Sequence, residues 1–121
     1  MRENIIVRTS FAFSVRIVNL QKYLVEQKKE YVISKQIYRC GTSIGANIAE
    51  AQRAQSTADF VSKMKIALKE ANETQYWLQL LHETKYITER EFESIHGDLV
   101  EVLKILTAIC KNYPQSNQTN L

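Results

Sequence analysis

Apolar residues recur at intervals of three and four through four long segments of the chain. That is the spacing of a buried stripe on a helix turning about 100° per residue. The pattern predicts helices from about Ile5 to Lys29, from Ser34 to Arg53, from Thr57 to Lys85, and from Thr88 through Lys111. Ser34 offers a hydroxyl as N-cap to the second helix. Thr88-Glu89-Arg90-Glu91 has the form of a capping box, and Lys111 places a cation in the last turn of the fourth helix. The connections are short, so consecutive helices are expected to run antiparallel. The expected fold is therefore all-α, an up-down-up-down four-helix bundle over residues 1–113. Residues 114–121, beginning at Pro114, read as a polar, disordered tail.

The stripes differ between helices. The fourth has a single one, Phe92, Ile95, Leu99, Val102, Leu106, Ile109 and Tyr113, flanked by Leu103 and Cys110, with a charged reverse side. The first carries two: Phe13, Ile17, Leu20 and Leu24 form one, and Phe11, Val15, Val18 and Val25 form another, separated from it by Ser14 and Gln21. The third repeats this doubling. Phe60, Met64, Ala67, Ala71 and Leu78 face a core, while Ile66, Glu70, Glu73, Trp77 and Leu80 or Leu81 line the opposite side. A lone bundle buries one stripe per helix, so the second stripes are expected to be subunit contacts and the chain a homo-oligomer.

The second helix is unusual in another way. Ile33, Ile37, Cys40, Ile44, Ile48 and Ala51 form its core stripe, beside a polar line of Ser43, Asn47 and Glu50. Gly45, Ala46 and Ala49 make a third side of small residues. A mid-helix glycine costs about 1 kcal/mol relative to alanine, which is reasonable where a neighbour must come close. Ser43, Gly45, Asn47 and Glu50 are therefore expected to act as a packing element and polar latch rather than a ligand site.

Composition excludes more than it assigns. Three glycines and one proline in 121 residues are too few for an all-β chain of tight turns. No apolar run is long enough to span a membrane and no signal peptide is evident, so a cytoplasmic location is expected. Cys40 and Cys110 fall on apolar faces and read as reduced core thiols. The net charge of +3 is unevenly spread. Residues 1–56 hold nine basic and four acidic side chains, and residues 57–121 hold seven and nine. Arg8, Arg16, Lys22, Lys35, Arg39 and Arg53 are the candidate contacts to a polyanion.

Catalytic readings do not fill out. Glu93-Ser94-Ile95-His96 is half of a di-iron signature, without the second copy and inward carboxylates such a site needs. Arg90 and His96 have the spacing of certain helical-bundle ribonucleases, yet point about 120° apart on an ideal helix. No phosphate-cradling glycine loop, nucleophile elbow or paired-cysteine motif occurs. No catalytic residue, metal ligand or cofactor is expected.

TSIGANIAEA (residues 42–51) and ADFVSKMKIALKEANETQYWLQLL (residues 58–81) together resemble a bacterial family of four-helix-bundle proteins. Its founding members are encoded in intervening sequences of large-subunit ribosomal RNA genes, and the accessory variability protein of diversity-generating retroelements is similar. The resemblance spans Phe11 to Ile109. Ser43, Ile44, Asn47, Ile48, Ala49 and Glu50 match the first motif, and Phe60, Ile66, Ala67 and Glu73 the second. Many members have proline at the position of Gly45, glycine at Ala51 and serine at Glu70, departures that mark a subgroup. The resemblance implies a ring-shaped homopentamer and, in some members, a basic surface for nucleic acid.

Two function classes follow. One is a non-catalytic scaffold contacting phosphates of RNA or DNA through a repeated basic surface. The other is an adaptor ring recruiting a partner protein, such as a reverse transcriptase. Most aromatics fall on packing stripes, so base-stacking platforms are not evident.

Overall fold

A computed structural model describes residues 4–113. They form four helices: α1 (Ile5–Glu26), α2 (Ile33–Ala51), α3 (Thr57–Glu83) and α4 (Glu89–Asn112). No strand is present among the described residues, and the expected tail, 114–121, lies outside them. Each helix packs on the next, and α1 also touches α4, so the four close around one core. Phe13, Ile17 and Leu24 enter it from α1, and Ile37, Ile44 and Ile48 from α2. Met64, Leu78 and Leu81 come from α3, and Ile95, Leu99, Val102 and Leu106 from α4. Each large side chain so buried contributes about 1.5–3 kcal/mol. Leu81 is fully buried, so only Leu80, half-buried, remains on the second side of α3.

The helix ends follow their local chemistry. Ser56 accepts a hydrogen bond from the Asp59 amide at the start of α3, and Thr88 with Glu91 forms the expected capping box on α4. The start of α2 differs from expectation. Ser34 is not its N-cap; the Glu30 carboxylate takes that role, accepting from the amides of Val32, Ile33 and Ser34 at 3.1, 2.8 and 2.7 Å. The Ser34 hydroxyl instead donates to the Glu30 carbonyl. A buried carboxylate two to four residues upstream offers several acceptor sites where a serine offers one oxygen, so it satisfies three orphan donors together. Helix α1 stops at Glu26, short of Lys29, because Lys29 adopts a left-handed backbone (φ 55°) and the Glu30 amide turns back to the Leu24 carbonyl.

Helix α2 approaches α1 through two glycines. A Cβ on Gly41 would lie 2.8–3.0 Å from three side-chain carbons of Ile17, and one on Gly45 would lie 2.7 Å from the Ser14 hydroxyl oxygen. Of the expected small side only Gly45 makes a close helix contact, since Ala46 and Ala49 are exposed. Gly41, which the sequence pattern does not single out, makes the other, against three carbons of a buried side chain.

Candidate interaction surfaces

Three groups of residues emerge once the core is filled. The first is a ridge on α1. Phe11, Val15, Val18 and Lys22 are spaced i, i+4, i+7 and i+11, which puts them on one line of the helix. Phe11 is 69% exposed and Val15 46%, although the same helix buries Phe13 and Ile17 completely on its other side. The ridge belongs to the doubled stripe of α1, and a single chain leaves it open. Arg8 is exposed near one end of the ridge and Lys22 at the other.

The second surface is on α3, where Ile66, Glu70, Glu73 and Trp77 repeat that spacing. Ile66 is 40% exposed and the neighbouring Tyr76 58%. The two acids share Arg39 of α2. Glu73 Oε2 accepts from Arg39 Nη2 at 2.7 Å and from Trp77 Nε1 at 3.1 Å. The Trp77 indole N–H, then the Arg39 guanidinium, hold the Glu73 carboxyl below its ordinary range, against an opposing effect of burial. Glu70 is served less well. Its Oε1 is 3.5 Å from Arg39 Nη1, near enough for charge attraction, but it is shut off from solvent and accepts no hydrogen bond. Behind it, the buried Thr74 hydroxyl bridges the Glu70 carbonyl and the Cys40 sulfur at 2.8 and 3.3 Å. Burial pushes the Cys40 thiol up, away from the reactive thiolate. Cys110 is half-buried, and both cysteines are free thiols.

The third group is the set of basic side chains carried by α1, α2 and the turn after α2. The structure does not gather them on one side: Arg53, past the end of α2, lies beside Asp59 and Lys63 of α3. Its six candidate cations do not act alike. Arg16 is committed to α4, donating to Asp98 Oδ2 at 2.8 Å and to the Ser94 carbonyl at 3.2 Å. Arg39 is committed to Glu73 and Glu70. Arg8, Lys22, Lys35 and Arg53 are exposed. At the end of the bundle holding Arg8 and Arg53, Asn4 Nδ2 donates to Gln52 Oε1 at 2.9 Å and ties the start of α1 to the end of α2.

The polar line on α2 is local. Asn47 Nδ2 donates to the carbonyl and hydroxyl of Ser43 one turn back, at 2.9 and 3.1 Å. Glu50 is exposed, with Lys63 Nζ 3.9 Å away. Thus Ser43 and Asn47 of the expected latch brace their own helix, Glu50 faces Lys63 of α3, and Gly45 sits against α1.

Two further features lie near the α3–α4 end and along the α1–α4 seam. His82, Phe92 and His96 stack in sequence, with centroids 4.6 and 4.9 Å apart. His82 Nε2 meets Glu89 Oε1 at 2.8 Å. Glu93 points away to solvent, its carboxyl pushed up by the adjacent Glu89, so Glu93 and His96 do not form a joint site. Among the described residues no three His, Cys, Asp or Glu side chains converge as metal ligands. A groove of about 520 Å³ opens between α1 and α4, over Leu20, Tyr23, Ile87 and Ile95, with Arg16 and Arg90 beside it. No described helix is long and apolar enough to cross a membrane.

The family model described as 23S rRNA-intervening sequence protein matches residues 2–108. The chain belongs to that family. A crystal structure from Bacteroides thetaiotaomicron, described as a protein of unknown function from the S23 ribosomal protein family, is 59% identical with a TM-score of 0.87. The match covers 88% of this chain and 99% of that one. Among curated proteins, none matches.

Proposed function

We propose that this intervening-sequence family member is a non-catalytic, cytoplasmic scaffold that assembles into a homo-oligomeric ring and holds nucleic acid by its phosphates. Contact order supports the up-down-up-down path: Ser14 meets Gly45 while Ile17 meets Gly41, and Arg39 meets Glu73 while Glu50 meets Lys63. Each pair counts upward on one helix and downward on the next. The family resemblance suggests five subunits. The exposed second ridges of α1 and α3 are the faces available for assembly.

One observation carries the nucleic-acid reading. Lys35, at the start of α2, and Arg53, just past its end, are exposed with no ion pair among the described residues, and Arg8 is a third exposed cation, at the Arg53 end of the bundle. Three cations on one subunit bind weakly, but a ring repeats them and converts weak contacts into avidity. Phosphate contacts of this kind are largely independent of sequence. An anisotropy titration at low salt, with structured RNA and with duplex DNA, tests the reading. Binding that is abolished by Lys35→Glu with Arg53→Glu, at unchanged oligomer mass, supports it. Absence of binding to either nucleic acid would favour an adaptor ring for a partner protein.

A further inference from the structure

The α1 and α3 ridges share a spacing but not a character. Positions 11, 15, 18 and 22 read Phe, Val, Val, Lys, apolar with a cation at one end. Positions 66, 70, 73 and 77 read Ile, Glu, Glu, Trp, apolar at both ends with acids between. Within the chain the acidic ridge is under-neutralised. Arg39 donates to Glu73 at 2.7 Å, while Glu70 Oε1 is closed to solvent and accepts no hydrogen bond. Arg39 Nη1 stands 3.5 Å from that oxygen, and 13% of the Glu70 side chain stays exposed, so a further cation can approach the carboxylate from its exposed edge. Lys22, for its part, is exposed and has no ion pair among the described residues.

We propose that the α1 ridge of one copy packs on the α3 ridge of the next, with Lys22 supplying its ammonium to Glu70. This rests on the assembly reading above and specifies its contact. Like ridges are poor partners for each other: α3 on α3 would face acids with acids, and α1 on α1 would leave Glu70 unserved. The pairing is therefore head-to-tail, which closes into a ring where the rotation between copies permits and does not stop at a two-fold dimer. With the two helices antiparallel, the seven residues from Lys22 back to Val15 match the seven from Glu70 to Trp77, so Val15 lies against Trp77, about 10 Å along the axis, and Phe11 one turn beyond it. Lys22 leaves the set of cations open to phosphate.

The test is a charge exchange read by sedimentation equilibrium on the full chain. Lys22→Glu and Glu70→Lys should each lower the mass from that of the wild type. The double variant, which restores opposite charges across every contact, should regain it. Val15→Asp, at an exposed position outside the core, should lower the mass without loss of helicity and covers the case in which Glu70→Lys fails to fold. A wild-type oligomer whose mass survives Lys22→Glu and Val15→Asp would overturn the face assignment alone. Folded single variants that the double does not rescue would overturn the Lys22–Glu70 contact. A wild-type mass of 14.0 kDa would overturn the assembly reading, and this proposal with it.

Discussion

Gly41 of α2 lies directly against Ile17 of α1, with room for a hydrogen and none for a methyl group. Ile17 is fully buried and branched at Cβ, so its side chain cannot turn aside. Gly41→Ala should therefore destabilise the fold by about 1–3 kcal/mol through overpacking, despite the roughly 1 kcal/mol gain in helix propensity. Gly45→Ala should cost much less, since its tightest neighbour is the Ser14 hydroxyl, which can rotate away. Urea denaturation of the two variants checks the order; an equal or reversed order would contradict the contact described.

Glu30 holds three amides at the start of α2. Glu30→Ala leaves those donors without their acceptor and should cost about 1.5–3 kcal/mol, the range for hydrogen bonds to charged groups. Ser34→Ala should cost less, because Ser34 caps nothing. Thermal melts of both variants test this. A larger loss at Ser34 would restore it as the cap.

Glu73 makes folding pH-dependent in a defined direction. Its carboxyl is held below the ordinary value in the folded chain by Trp77 and Arg39. Its contribution is therefore fully present above the unfolded value and is lost as pH falls through the folded one. The stability gap between wild type and Glu73→Gln should be constant near neutrality and shrink on acidification. A gap that is flat with pH would show that Glu73 gains nothing from its ionised form.

Burial pushes both thiols up, but Cys40 is fully buried while Cys110 is only half-buried. An alkylating reagent at neutral pH should label Cys110 first and reach Cys40 only on unfolding. Fast labelling of Cys40 in the native chain would contradict its placement behind Thr74.

Much of the fold is legible because apolar spacing records burial. Phe13, Ile17, Ile37, Ile44, Met64 and Leu99 all enter the core from the stripes that place them there. The doubled stripe of α1 is equally plain, since Phe11 and Val15 have no core to enter. What escapes is distance between elements. Gly41 lies one turn before Gly45, yet its contact with a branched, buried side chain depends on the height at which Ile17 crosses α2. Similarly, nothing local announces that Glu30 will fold back over α2. The candidate basic surface is half legible for the same reason: lysines and arginines are visible in the sequence, but their acidic partners, Asp98 for Arg16 and Glu73 for Arg39, come from distant helices.

The most direct test of the central claim is the salt dependence of nucleic-acid binding, measured for the wild type and for Val15→Asp. Each phosphate neutralised on a duplex contributes about 0.9 to the slope of log K against log salt, so three cations on one subunit give at most about 2.7 by the same rule. The account predicts a steeper slope for the assembled wild type, and weaker binding with a slope at or below that bound for the dissociated variant. Binding indifferent to salt, or the same slope and affinity in both proteins, would contradict a phosphate surface built by repetition around a ring.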